Sequence, residues 1–232
     1  MPFYRLIKKL LPFLLLNLTA CATFSTPPID YHPGAVVNTL SSAVSLSIHA
    51  TDRSMGGNGY MVYRRPDQLH LVVLSPFGTT MMEAFAQGDR ITLVYPSQST
   101  AYVGRFDELP AKDGLQGWSL MRWVMEADPA TDKLLSGMME RVNKLGFSEK
   151  VTYHNGLVAS KESPAGDHVH YGKYVAVNGV PIAAELDMRN GRDDRIRITL
   201  DEPEVNTPLD EAVFVPRLDG MTVMPLSALK GL

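Results

Sequence analysis

The sequence predicts an α+β protein in which a curled, incompletely closed antiparallel β-sheet, or half-barrel, has helices plugging an apolar cavity. Short segments in which apolar and polar residues alternate occupy residues 44–103 and 150–205. This period of two is typical of strands, and turns at short intervals are typical of an antiparallel sheet. Residues 107–146, between them, carry apolar side chains at helical spacing. Helices of that kind would cover the apolar face of the sheet.

The first 20 residues have the pattern of a secretory signal peptide. In "MPFYRLIKKLLPFLLLNLTA", three basic residues precede a short apolar run that ends in small residues. This arrangement directs export and is then removed. The apolar run is too short to span a bilayer as a stable helix, and Pro12 interrupts it.

The predicted signal peptide ends before Cys21, the only cysteine in the chain. The stretch "LTAC" resembles a bacterial lipobox, which implies that Cys21 carries a diacylglycerol thioether and an N-acyl chain such as palmitate. An unpaired cysteine in an exported protein requires a reason, and several acyl chains would anchor the protein firmly. Ala22 follows instead of Asp, which by the enteric sorting pattern implies the periplasmic face of the outer membrane.

The remaining chain is acidic and has the length of one domain. Loss of residues 1–20 removes three basic residues and no acidic ones, which changes the formal net charge from −3 to −6. Nucleic acid is therefore not an expected partner, because its binding needs a basic surface. Residues 21–36, which include "STPPIDYHPG", are predicted to tether the lipidated cysteine to a single, monomeric domain at residues 37–232.

The first half of this domain is predicted to be a meander of about six strands. "SAVSLSIHA" alternates, and "GGNG" at residues 56–59 is expected to turn the chain into the strand "YMVYRRP". The segments "QLHLVVLSP", "TTMMEAFAQ", "ITLVYP" and "STAYVG" continue the pattern, with turns at "RPDQ" and "GDR".

Two helices are predicted next. In "LQGWSLMRWVMEA" the helical spacing is carried by Leu115, Trp118, Met121, Val124 and Met125. "TDKLLSGMMERVNKLG", residues 131–146, repeats the spacing, with Thr131 as its N-cap and Gly146 just after its last turn.

Strands are predicted to return after residue 147. "KVTYHNGLVAS" indicates a hairpin around Asn155-Gly156, a strong two-residue turn sequence, and a second Asn-Gly occupies residues 178–179. "DRIRITLDEPEV" alternates as a strand, and the tail "NTPLDEAVFVPRL" contains a short segment at Phe214.

No catalytic chemistry is expected from these residues. The sequence contains no G-x-S-x-G, Walker, H-E-x-x-H or C-x-x-C motif. His168 and His170 would share one strand face, an arrangement that suits two metal ligands, but no further cysteine or histidine follows at ligand spacing. We therefore expect neither an enzyme nor a bound cofactor or metal.

The stretch "HLVVLSPFGTTMMEAFAQGDRITLV" resembles the LolB family of outer-membrane lipoprotein receptors. The matching feature is a strand, an Asn/Ser-Pro-apolar-Gly turn and a second strand. "LQGWSLMRWVMEADPATDK" is similar to the family's apolar helix with a tryptophan and the Gly/Pro-rich break after it. The resemblance runs from Val44 to about Lys133, whereas "VNTPLDEAVFVP" near the end is more similar to LolA-type carriers.

The resemblance implies that Pro76, Phe77 and Gly78 form a protruding turn that touches the membrane. The family has a leucine at the position of Phe77, and the replacement keeps the tip apolar. The resemblance further implies a chaperone-like receptor that takes acylated lipoproteins from a LolA-like periplasmic carrier and places them in the outer membrane. The alternative for Phe77 is ordinary packing against the sheet.

Five residues are candidates for lining an acyl-chain cavity: Met82, Phe85, Trp118, Met121 and Met125. Methionine adapts its shape and would suit varied acyl chains, but core packing is the default interpretation. Two further functions also stay open. One is a binding module of the same superfamily for another lipid or glycolipid, and the other is a structural envelope lipoprotein with a filled core.

Overall fold

The computed structural model describes residues 29–50, 53–109, 120–191 and 194–229, and its strands form one large sheet. Thirteen strands lie side by side in a single open order, so the sheet curls without closing. All neighbours are antiparallel except at one edge, where the last strand of the chain runs parallel to the sixth. The predicted curled, incompletely closed antiparallel sheet is confirmed.

The first six strands form the predicted meander. They are β1 (Thr39–Ala50), β2 (Arg53–Arg64), β3 (Gln68–Leu74), β4 (Thr80–Gln87), β5 (Arg90–Tyr95) and β6 (Thr100–Arg105). Each pairs antiparallel with the next. Because strand side chains alternate between faces, Leu71 and Val73 are buried on the inner face, whereas His70 and Val72 lie on the outer face.

The glycine-rich residues 56–59 do not form the predicted turn but lie inside β2. A β-carbon at Gly59 would overlap the backbone carbonyl oxygen of Val72 on β3. The absence of a side chain therefore lets the two backbones approach closely, which is one use of glycine within a strand. Contact with the neighbouring strand outweighs the local preference of these residues for a turn.

One short helix, α1 (Met121–Met125), lies in the connection between the two halves of the sheet. It confirms the first predicted helix over these five residues only. Leu115 and Trp118, which the spacing places on the same helix, lie outside the described residues.

The second predicted helix, over residues 131–146, is wrong. Its centre forms the edge strand β7 (Gly137–Val142), and Gly146 lies in the hairpin turn that follows. β7 pairs antiparallel with β8 (Ser148–His154). The ladder of hydrogen bonds to β8 outweighs the helical spacing of the apolar residues, of which Met138 and Val142 remain exposed.

The second half of the sheet follows the predicted strands. They are β9 (Leu157–Glu162), β10 (His168–Val177), β11 (Val180–Arg189) and β12 (Arg195–Val205), and β13 (Thr222–Pro225) ends the sheet. Both predicted Asn-Gly turns are confirmed, between β8 and β9 and between β10 and β11. Since β12 pairs with β1, the full order is β13-β6-β5-β4-β3-β2-β1-β12-β11-β10-β9-β8-β7.

The main apolar core lies on the inner face of the curled sheet and draws side chains from β1–β5, β8–β12 and α1. The segment before β1 also belongs to the fold. Tyr31 is buried, and its hydroxyl donates a hydrogen bond of 2.7 Å to the carbonyl oxygen of Asn155. Tyr31, which lies in the segment predicted as a tether, therefore packs against the turn between β8 and β9.

The C-terminal segment crosses the outer face of the sheet. A short helical turn at Glu211–Phe214 lies near β2, where Arg64 pairs with Glu211. The chain then reaches β6, with which β13 pairs. The outer face is therefore covered in part by the last residues of the chain.

Candidate functional site

The turn between β3 and β4 presents Phe77 to solvent, and this side chain is 93% exposed. The N–H of Gly78 donates a hydrogen bond of 2.9 Å to the carbonyl oxygen of Ser75, which closes the turn. Gly78 has φ +79°, a conformation that glycine adopts at little cost, and Pro76 restricts the backbone just before Phe77. Phe77 does not pack against the sheet.

The hydroxyl of Ser75 organises this turn. It accepts hydrogen bonds from the backbone N–H groups of Phe77 and Thr79, both at 3.2 Å. It also lies 2.7 Å from the hydroxyl oxygen of Thr79. Because the backbone on both sides of the tip is held, Phe77 is presented in a defined direction.

We expect Ser75→Ala to loosen the turn without unfolding the sheet. A hydrogen bond contributes about 1 kcal/mol net, so the amide hydrogens of Phe77 and Thr79 should exchange about fivefold faster. Hydrogen–deuterium exchange measures this rate. The control is Ser97→Ala in the turn between β5 and β6, because the described residues give the exposed Ser97 side chain no hydrogen bond. Equal exchange in both variants would contradict the role of Ser75.

Helix α1 lies against the inner face and fills much of it. The side chains of Met121, Trp123 and Val124 are at most 3% exposed. An apolar cavity beside α1 measures about 30 Å³ and is bordered by Val124 and Met125. That is room for about one water molecule, whereas ligand pockets measure about 300–1,000 Å³. Among the described residues, this cavity is therefore too small for an acyl chain.

Two buried charges hold α1 against the sheet. The side chains of Lys161 and Glu149 are both 0% exposed, and Lys161 Nζ lies 3.9 Å from Glu149 Oε2. Lys161 Nζ also donates a hydrogen bond of 2.8 Å to the carbonyl oxygen of Trp123. Glu149 in turn accepts from the indole N–H of Trp123 at 2.5 Å and from Arg141 Nε at 2.6 Å.

A further hydrogen bond completes this cluster. The hydroxyl of Tyr171 donates to the carbonyl oxygen of Val124 at 2.7 Å. The backbone carbonyls at the C-terminal end of a helix lack hydrogen-bond donors within the helix. In α1 the side chains of Lys161 and Tyr171 are those donors. We call Arg141, Glu149, Lys161 and Tyr171 the α1 network, because together they fix α1 on β7–β10.

The protonation of the α1 network follows from its burial. Burial lowers the pKa of Lys161 to about 8, although the carboxylate of Glu149 opposes that shift. Burial also works against ionisation of Glu149, but Lys161 and the hydrogen bonds from Arg141 and Trp123 outweigh it and hold its pKa below the ordinary value. At neutral pH both groups are therefore charged.

The structure separates the predicted cavity residues. Met82 and Met121 are buried on the inner face, and Met125 borders the small cavity. Phe85 faces the outer side, so it does not line the inner face as predicted. Trp118 lies outside the described residues, as does Cys21.

Trp123, Glu149 and Lys161 were not predicted as site residues. The alternation in β8 contained one usable indication, because Glu149 occupies the same strand face as the apolar Val151 and Tyr153. A carboxylate on an apolar strand face requires a partner. No sequence pattern pairs it with Lys161, since that pairing depends on how β8 and β9 align.

The described residues contain no group of three or more His, Cys, Asp or Glu side chains placed to hold a metal ion. His168 and His170 share one strand face as predicted, with ring centroids 4.3 Å apart in an edge-to-face arrangement. Within the described part of the chain, no helix is both long and apolar enough to cross a bilayer.

Two solved structures share this fold. The chain is similar to a DUF1329 family protein from Desulfovibrio piger (TM-score 0.55, 13% identity, covering 77% of this chain and 90% of that one). It is also similar to a LolA superfamily protein from Nitrosomonas europaea (TM-score 0.52, 9% identity, covering 77% and 90%). At these identities the likeness establishes the fold alone.

The sequence defines the family more narrowly. Residues 39–202 match the family described as outer membrane lipoprotein LolB. This chain therefore belongs to the LolB family, and the resemblance seen around the β3–β4 turn is confirmed. A search of curated proteins gave no significant match.

Proposed function

We propose that this protein is an outer-membrane receptor that accepts acylated lipoproteins from a LolA-like periplasmic carrier and inserts them into the membrane. The observation that carries the proposal is the exposure of Phe77 at the tip of an organised turn, in a chain of the LolB family. An exposed aromatic side chain on a rigid turn is costly in water and gains free energy when it enters lipid.

Membrane attachment would come from acyl chains on Cys21 at the periplasmic face. Burial of one phenylalanine in lipid contributes roughly 1.5–3 kcal/mol, which is too little to hold a protein at a membrane by itself. Once acyl chains hold the protein there, the same energy suffices to orient the domain with Phe77 toward the bilayer. The two elements therefore have separate tasks, attachment and orientation.

Cargo acyl chains would bind on the inner face, where the sheet and α1 supply apolar surface. Since the cavity beside α1 measures about 30 Å³, α1 must move before an acyl chain fits. The free-energy cost of that movement depends on the α1 network, because its hydrogen bonds to α1 have to break. Transfer is non-covalent and follows differences in affinity between the carrier, this protein and the bilayer, so the proposal requires no bound nucleotide.

A transfer assay tests this function. The chain from residue 21 onward, carrying Cys21→Ala, is mixed with a LolA-type carrier that is loaded with a radiolabelled, acylated lipoprotein. We expect the label to move onto this protein, while the same lipoprotein without acyl chains should show no transfer. Label that stays on the carrier would contradict the receptor function.

The filled inner face favours one other function, that of a structural envelope lipoprotein. Such a protein needs no movement of α1 and no cargo. In the same assay it would leave the acylated lipoprotein on the carrier, and loosening the α1 network would not change that result.

A further inference from the structure

A groove of about 620 Å³ lies on the outer face of the sheet, on the side away from α1. Its floor consists of the outward residues of β2–β5, and its wall is the C-terminal segment at residues 210–217. The apolar floor residues are Tyr60, Val62, Val72, Phe85 and Val94. Unlike the inner cavity, this groove has the volume of a ligand site, which is about 300–1,000 Å³.

The wall of the groove is fixed at both ends. Arg64 donates two hydrogen bonds to Glu211, of 2.5 and 2.6 Å, and its guanidinium lies 4.6 Å from the ring centroid of Phe214. Beyond the groove, Leu218 and Met221 pack on a small apolar cluster of the outer face. The space between these attachments is therefore held open by the fold. The wall also lies beyond residues 39–202, which match the family.

The charges around the groove indicate the polarity of its ligand. Glu83 pairs with His70 at 3.0 Å, and Asp210 accepts a hydrogen bond of 2.9 Å from the N–H of Ala212. Arg217 is exposed at the groove and has no hydrogen-bond or ion-pair partner within the described residues. An apolar floor beside an unpaired guanidinium complements an apolar chain that carries an anionic group.

A line of apolar side chains connects the groove with the Phe77 turn. Val72 lines the groove, and Leu74 follows it on the same face of β3. Met81, at the start of β4, is 46% exposed. With a rise of about 3.3 Å per residue, Val72 and Phe77 are at most about 17 Å apart along the chain. A lipid chain at the tip is thus within reach of the groove.

We propose that the groove binds one acyl chain of an anionic phospholipid from the membrane in which the protein is anchored, with Arg217 at the headgroup. This inference depends on the membrane attachment in the proposed function and not on cargo transfer. Binding of a membrane lipid in the groove would turn the outer face of the sheet toward the bilayer and leave the inner face free for cargo.

Photolabelling of the lipidated protein tests this site. The protein is reconstituted in phosphatidylethanolamine vesicles that contain phosphatidylglycerol with a diazirine in one acyl chain, and labelled peptides are identified by mass spectrometry. We expect label on peptides that contain Tyr60, Val72 and Val215. Val215→Glu should reduce this labelling severalfold, whereas Val142→Glu, at another exposed valine on β7, should not.

The headgroup is tested by replacing the photoreactive phosphatidylglycerol with photoreactive phosphatidylcholine. Labelling of the groove should fall about threefold, as expected for the loss of one exposed ion pair. In Arg217→Gln the two lipids should label the groove equally. Equal labelling by both lipids in the unmodified protein would overturn the proposal, and so would label confined to Phe77 and Met81.

The cargo assay separates this inference from the proposed function. Val215→Glu should still accept an acylated lipoprotein from the carrier. If the unmodified protein accepts cargo but its groove is not labelled, the lipid site is wrong and the receptor function stands. If the groove is labelled but no cargo moves, the receptor function is wrong and the lipid site stands.

Discussion

Phe77→Glu is expected to accept cargo normally and to deliver it to liposomes about tenfold more slowly or worse. Burial of the phenylalanine side chain contributes roughly 1.5–3 kcal/mol, and each 1.4 kcal/mol or so is a factor of ten in an equilibrium. The glutamate also brings a charge to a place where lipid would have to desolvate it. Delivery is measured with the lipidated protein on liposomes, by following radiolabelled lipoprotein into the vesicle fraction.

Two variants control for this experiment. Phe77→Leu keeps an apolar tip and should deliver cargo at nearly the normal rate. Val142→Glu adds the same charge at a side chain that is 71% exposed on the far edge strand, and it should have no effect. If Phe77→Glu also fails to accept cargo, the turn contacts the carrier and its assignment to the membrane is wrong.

Glu149→Gln is expected to destabilise the fold by about 3 kcal/mol or more, because it leaves the ammonium group of Lys161 buried without a counter-charge. Chemical denaturation measures this loss. The control is Glu185→Gln, which removes a surface ion pair of 3.3 Å with Lys173 and should cost well under about 1 kcal/mol. The double variant Glu149→Gln/Lys161→Met should recover part of the loss, since it removes both charges.

The buried lysine also makes a pH dependence predictable. The pKa of Lys161 is about 8 in the folded protein against an ordinary value of 10.5. Between these values the unfolded chain binds more protons than the folded one, so the free energy of unfolding rises with pH. A pKa shift of this size changes the free energy of unfolding by about 3 kcal/mol across this pH range. Lys161→Met should lack this rise between pH 8 and pH 10, and an equal rise in both proteins would contradict the assignment.

The same variants connect stability with function. Since α1 packs on the inner face, a weaker α1 network should lower the free-energy cost of moving the helix and let acyl chains bind more readily. Glu149→Gln should therefore accept cargo faster than the unmodified protein at temperatures where both are folded. A structural lipoprotein would lose stability in the same variant and gain no cargo binding.

The sequence by itself determined those features that depend on neighbouring residues. Alternation along β1 and β3 and the Asn-Gly turns after β8 and β10 are local patterns, and the structure contains them. The Ser-Pro-Phe-Gly turn belongs to the same group, because its hydrogen bonds lie within residues 75–79. The turn can therefore be located from the amino-acid sequence alone, whereas its proposed contact with the membrane depends on the family resemblance.

Only the tertiary structure decided the features that depend on distant residues. The apolar spacing over 131–146 suits a helix, but pairing with β8 makes its centre a strand. The glycines at 56–59 suit a turn, but the approach of β3 places them inside β2. Lys161, Glu149 and the outer groove come together through strand alignment across the sheet. Contacts between segments far apart in sequence contribute more free energy than local preference at these places, and a single sequence does not reveal them.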